Sequence, residues 1–190
     1  DGFFLPSQDL VNAYQTDANG LPDFDYQTKA DYSKVTDNGD NTYSLSNVTT
    51  TVDPRLDFVV GRPNISWKTY TKTPCKGWVR DKGTYGYNCT KRFWVSPESP
   101  DTMKGWPWGA SQMNWQIIRY ADVLLWKAEA LIEIGSDLTT ARTLINKVRE
   151  RAKNSSYVKD FADKSKNAAN YSIALYTADN WTQDYARKAL

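Results

Sequence analysis

The chain has no histidine among its 190 residues and only two cysteines. Without imidazole, a Ser-His-Asp triad, a Cys-His dyad and His-ligated zinc are excluded from it. Long hydrophobic runs are also missing: mean hydropathy is −0.67, and no apolar stretch approaches the roughly 18 residues that a membrane-crossing helix needs. There is no excess of one charge either. The 24 basic and 22 acidic residues are scattered and leave a formal net charge of +2, which gives no support to a nucleic-acid or anionic-membrane partner. The opening "DGFFLPSQDL" lacks an initiator Met and a charged segment followed by an apolar one, so any export signal is expected outside the chain. The closing "TQDYARKAL" reads as a helix capped by Asn180 or Thr182 with no terminal glycine, the pattern of a piece of a longer protein.

What the chain does have is aromatic residues: 8 Trp, 12 Tyr and 6 Phe. Many lie in stretches rich in Gly, Pro, Asn and Thr rather than on periodic faces. The chain divides near residue 112 into a loop-rich aromatic region, 1–112, and a helical one, 113–190. In the first, "PSQDLVNAY" predicts a short helix capped by Ser7, and "VDPRLDFVV" another, with Asp53 as N-cap and Pro54 at the first helical position. Turns such as "DANG", "DNGDNT", "GRPN" and "DKGTYGYN" separate these.

In the second region, Ile117, Ile118, Ala121, Leu124, Leu125, Ala128, Leu131 and Ile132 recur at helical spacing. Gly135 suits the C′ position, Ser136 or Asp137 the next N-cap, and Leu138, Ala141, Leu144, Ile145, Val148 and Ala152 a second stripe. The spacing predicts helices over about 114–134 and 137–152, packed antiparallel because the joint is short, and the start of a further helix over about 181–190. A pair of about 35 residues is the unit of a tetratricopeptide repeat, which cannot bury both faces alone and needs neighbouring helices. Arg119 and Asp122 sit one turn apart, and Glu129 lies further along. They are expected to form a structural ion-pair network, with Arg142, Arg149 or Arg151 answering Glu129.

"IIRYADVLLWKAEALIEIG" followed by "ARTLINKVRERA" resembles the helical pair of the SusD/RagB family, the outer-membrane nutrient-binding lipoproteins of Bacteroidetes. Upstream, "LPSQDLVNAY" and "VDPRLDFVVGRP" resemble family segments in the same order, so recognisable segments run from Leu5 to about Ala152. Between Pro63 and Met113 the likeness is limited to a variable, aromatic-bearing region with "WVRD". Family proteins are longer, with a lipidated N-terminal Cys, further repeat helices and an acidic, arginine-rich motif beyond the third helix.

The resemblance implies a mainly α, SusD-like fold: a tetratricopeptide-type hairpin beside an irregular region of short helices and strands. It implies a non-catalytic protein without cofactor or metal. Such a protein captures an oligosaccharide, or in some relatives a peptide, at the cell surface for a SusC-like TonB-dependent transporter. Membrane attachment would be only through a lipid anchor outside this chain. A tetratricopeptide-like interaction scaffold, marked by exposed apolar residues on the helices, is an alternative. So is a glycoside hydrolase, which would need two carboxylates about 5–5.5 or 6.5–9.5 Å apart across a cleft.

Saccharides have apolar ring faces edged by hydroxyls, so flat aromatics beside hydrogen-bonding side chains suit them. The candidate platforms are Trp67, Tyr70, Trp78, Tyr85, Trp106 and Trp108, and the near-zero net charge suits a neutral glycan. Cys75 and Cys89 bound a short loop and are candidates for a disulfide in an exported protein. "DANGLPDFD" and "DNGDNT" carry hard oxygen ligands but not the complete calcium loop, and turn chemistry accounts for them.

Overall fold

A computed structural model describes residues 5–68, 73–74, 77–92, 94–96, 98–106 and 110–190. Ser7 caps the first short helix, α1 (Gln8–Asn12), its hydroxyl accepting from the Leu10 N–H at 3.1 Å. A 3-10 turn at Tyr26–Thr28 follows. Strands β1 (Lys34–Asp37) and β2 (Tyr43–Ser46) then pair antiparallel, with Lys34 opposite Ser46. The "DNGDNT" turn between them is held by its own side chains: Asp37 accepts from the Gly39 N–H and Asp40 from the Thr42 N–H, each at 3.0 Å. The acids of "DANGLPDFD" are used in the same way, Asp17 accepting from the Asn19 and Leu21 N–H groups at 2.8 and 2.9 Å.

The "VDPRL" segment forms its helix two residues later than its sequence predicts. Asp53 accepts from the Arg55 backbone N–H at 2.9 Å and also takes the Arg55 guanidinium, so residues 53–55 are a turn that feeds α2 (Leu56–Val59). Strand β3 (Val60–Gly61) follows directly and pairs with β4 (Cys89–Thr90), beyond the single-turn α3 (Lys82–Tyr85). A Cβ on Gly61 would sit 2.4 Å from the Cys89 sulfur and 2.9 Å from Trp67. Only glycine lets these strands close over that indole.

The helical region consists of α4 (Tyr120–Ile134), α5 (Leu138–Lys153) and α6 (Gln183–Ala189). The first predicted helix begins six residues later than expected. Asp122 reaches back to the Arg119 backbone N–H at 2.9 Å and pairs with its guanidinium, the reciprocal arrangement that fixes a helix start. Ile117 and Ile118 therefore lie outside the stripe and are exposed. Gly135, at φ 72°, closes α4 in the left-handed conformation, and Asp137 caps α5 by accepting from Thr140. Thr182 caps α6.

Ala128, Ile132, Ala141, Leu144, Ile145 and Ala186 share one core with Tyr176 and Trp181. The segment leading to α6 is stitched to α5 and the inter-helix joint. Asn146 exchanges hydrogen bonds with the Tyr176 backbone at 2.8 and 2.9 Å, and the Trp181 indole donates to the Leu138 carbonyl at 2.8 Å.

Three distant parts of the chain meet at Val52, which is fully buried. It bridges Gln15 antiparallel on one side and Tyr171 parallel on the other. Val52 donates to the Asn170 carbonyl at 3.0 Å and accepts from the Ser172 N–H at 2.9 Å. Around it Val11, Tyr32, Leu56 and Val60 form a second core, against which Tyr171 packs. The result is a mixed helical fold with two small two-stranded sheets, consistent with a SusD-like, tetratricopeptide-type architecture.

Candidate functional site

The order Asp57, Phe58, Val59 on a single helical turn decides the local arrangement: Asp57 points inward and Phe58 outward. The Asp57 and Arg62 side chains are 0% and 1% exposed and form a two-pronged pair at 2.7 and 2.9 Å. The Tyr171 hydroxyl donates to the same carboxylate at 2.6 Å. Burial first, and then that neighbouring carboxylate, push the Tyr171 hydroxyl far above its ordinary range. Arg62 also stacks over Tyr32 at 5.4 Å.

Beside this network, Lys91 is buried, and its ammonium donates to the Asp57 and Ser66 carbonyls at 2.7 and 2.6 Å. Burial draws the ammonium down to about 8, against the opposing pull of Asp57.

Two clefts open above this framework. The larger, about 680 Å³, lies between residues 57–68 and the returning segment 156–164, with Phe58, Tyr157 and Phe161 as its aromatic walls. Lys68, Lys91, Lys159 and Lys164 line it as well. The smaller, about 350 Å³, is lined by Lys68, Arg92, Trp94, Asn114, Gln116 and Arg119, among others. Lys68 belongs to both. Volumes of this size fall in the range of ~300–1,000 Å³ usual for small-molecule sites.

The expected platforms fare unequally. Trp67 is not a platform but an anchor: it is 6% exposed, and its indole donates to the Thr90 carbonyl at 3.1 Å. Strands β3 and β4 close over it, which explains its burial. Trp78 and Trp94 pack edge-on against it at 5.6 and 6.5 Å. Trp78 is half-buried, whereas Trp94 is 42% exposed and lines the smaller cleft. Tyr85 is exposed at the end of α3, and Trp106, which follows Gly105, is 82% exposed. Tyr70 and Trp108 lie outside the described residues. So does Cys75, the expected partner of Cys89; Cys89 itself is a free, buried cysteine packed with Trp67 and Val79.

Arg119 and Asp122 form the expected ion pair, and the Arg119 hydrogen bond first among the causes draws the Asp122 carboxyl down to about 2. Glu129 does not join them. It is exposed, and two of the arginines expected to answer it turn to carbonyl oxygens instead: Arg149 to Ala174 and Gly20 at 2.7 and 3.0 Å, Arg142 to Thr177 at 3.1 Å, while Arg151 is exposed. The acid answered across the helices is Glu133, by Arg187 at 2.8 Å. Among the described residues no group of three or more acidic or cysteine side chains is placed to hold a metal.

Sequence reasoning missed Phe58, Lys68, Lys91, Phe161 and Lys164 as cleft residues. The only signal for Phe58 was its place, one residue past a buried acid on a short helix. The lysines carry no local signal, because segments far apart in sequence bring them together.

No curated protein matches the chain. A model of the SusD family matches residues 2–189, reaching well beyond the segments from Leu5 to Ala152 that carry the resemblance. That match spans both cores and both clefts, so the chain belongs to the SusD family, a group of non-catalytic nutrient- and glycan-binding proteins of the outer membrane.

Proposed function

We propose that this chain is the glycan-binding portion of a surface-exposed outer-membrane lipoprotein, and that it holds an oligosaccharide for a SusC-like TonB-dependent transporter. The observation that carries this is the smaller cleft. There an open Trp94 face stands beside the hydrogen-bonding side chains of Arg92, Asn114, Gln116 and Arg119. A sugar ring can lie on the indole while its hydroxyls meet the polar rim. Trp106 and Tyr85 are exposed and available to a longer chain, whereas Trp67 supports Trp94 from beneath. Affinity is expected at about micromolar to millimolar, since polar ligands lose much contact energy to desolvation and ordering.

Calorimetry of Trp94→Ala and Trp106→Ala against an oligosaccharide panel tests this. A platform residue loses about 1–3 kcal/mol of binding with its melting temperature nearly unchanged. If neither variant weakens any glycan that the parent chain binds, the platform assignment fails. New reducing ends on prolonged incubation with polysaccharide would return the hydrolase reading.

One observation also favours protein contact. Tyr120, Val123, Trp126 and Ile134 are all exposed and recur at helical spacing along α4. Apolar side chains in such a row mark an interaction surface, and Trp126→Glu is expected to abolish the contact made there without touching glycan binding.

A further inference from the structure

We propose that the larger cleft selects an anionic oligosaccharide, holding its uronate carboxylates or sulfate esters with Lys68, Lys91, Lys159 and Lys164. This rests on the glycan-binding reading and names the class of glycan, replacing the neutral sugar that the overall charge suggests.

Four ammonium groups line one cleft, and its only lining carboxylate among the described residues, Asp57, is already taken by Arg62 and Tyr171. None of the four lysines is in an ion pair among the described residues. Their partners are neutral: Lys164 donates to the Ser66 hydroxyl at 3.0 Å and Lys159 to the Asn167 side-chain oxygen at 2.8 Å. Lys91 donates to two carbonyls, one fewer than its three N–H groups. Lys68 stands 5.8 Å from the Trp67 ring centre.

The acids of the facing loop, Asp160 and Asp163, do not line the cleft. Asp160 accepts from the Ala162 and Asp163 N–H groups, and Asp163 is held by Ser165 and Lys166. Burial lowers both Lys68 and Lys91, so their charges cost the folded chain something that a bound anion would relieve.

Charge alone would suit any anion. The walls narrow the choice, because Phe58 and Phe161, from the two segments that line the cleft, are 49% and 40% exposed. An acidic saccharide offers both flat apolar ring faces and regularly spaced negative groups. An acidic peptide offers the second without the first.

The test uses calorimetry with four probes: tetragalacturonate, a sulfated carrageenan tetrasaccharide, fully methyl-esterified tetragalacturonate and tetraglutamate. The proteins are the parent chain, Lys68→Gln/Lys164→Gln, Lys159→Gln, Trp94→Ala and, as a control on α5, Lys147→Gln. At least one acidic tetrasaccharide should bind about tenfold more tightly than the ester and lose about tenfold between roughly 50 and 300 mM salt. The double variant should weaken it by at least about tenfold and Lys159→Gln by about threefold, with melting temperatures unchanged and Lys147→Gln silent.

If the ester binds as well as the acids, or the lysine variants are silent while Trp94→Ala loses binding, the cleft proposal is overturned and the glycan-binding reading stands. Tetraglutamate binding as tightly as the sugars, with the same lysine dependence, replaces the saccharide by an acidic peptide and overturns the proposal. Failure of every saccharide overturns both. Should the double variant be destabilised, Lys159→Gln, whose side chain is at the surface, decides the question alone.

Discussion

The two halves of this molecule keep water out by different means. Between Tyr120 and Lys153, and again in α6, burial follows helical periodicity: Ala128, Ile132, Ala141 and Ile145 are apolar, and the backbone satisfies itself. In the loop-rich half the backbone has few ladder partners, so side chains must supply them. Asn12, Gln15, Thr16, Ser33, Asp53, Asp57, Arg62, Ser66, Asn88 and Lys91 are all buried there, whereas Arg149 is the one buried polar residue of α4, α5 and α6 among the described residues. Irregular backbone needs a polar interior because each unpaired buried group costs about 1–3 kcal/mol. That interior brings specificity of shape and, at its edge, chemistry: both clefts open beside the polar network and not on the helical core.

The largest expected effect breaks the polar side of the comparison. Asp57→Ala leaves Arg62 buried without its counter-charge and takes the acceptor from Tyr171, so a loss of about 3–5 kcal/mol is expected in denaturant melts. Asp122→Ala, which breaks an ion pair in the half-exposed start of α4, is expected to cost far less, because solvent screens that pair. Equal losses would remove the distinction between the halves.

On the apolar side, Ile132→Ala empties a fully buried site between α4 and α6 and is expected to cost about 2–5 kcal/mol. Its effect should be the same at pH 7 and pH 9. That of the polar network should not, because the folded Lys91 titrates near 8, below its unfolded value of about 10.4. A base lowered in this way opposes folding while it is charged. The cost is present in full below about pH 8 and is relieved as pH rises towards about 10.4, so stability increases through that window by on the order of 1–3 kcal/mol.

Above about pH 10 the sign reverses. The hydroxyls of Tyr171 and Tyr176 are raised, chiefly by burial, so unfolded tyrosines ionise first and stability falls. Melts of Lys91→Met should lie lower overall yet show no rise between pH 8 and 10. A rise of the same size would assign it to another group. Smallest of all, Gly135→Ala places a Cβ at φ 72°, 3.3 Å from the Gln183 amide, and is expected to cost about 1 kcal/mol.

The same contrast governs what could be read from sequence. The α5 stripe and the Gly135 stop are local patterns, and they stand in the structure as the residues predict, while of the two caps open at each later helix start the structure uses Asp137 and Thr182. The start of α4 differs from the sequence pattern because Ile117 and Ile118 continue an apolar spacing that the Arg119–Asp122 cap cuts off. In the loop half the turns were legible, since Asp and Asn bond to their own backbone. The clefts were not: Lys68, Lys91 and Lys164 come from three segments, and nothing near any of them announces the others. Trp67 reads as a platform in sequence because an indole beside turns looks alike whether it is open or roofed by β3 and β4.

Val52 has a consequence in time. Its two bridging partners lie 37 and 119 positions away along the chain, at Gln15 and Tyr171. Closing the longer of these loops loses chain entropy before any contact rewards it, so the pairing with Tyr171 belongs among the last steps of folding. During synthesis, residues 1–168 emerge with the Val52 edge open and Asp57 still lacking the tyrosine that later donates to it. Until the strand around Tyr171 arrives, that edge is an unpaired template for another chain. The interval before the strand docks is when this protein is most exposed to aggregation.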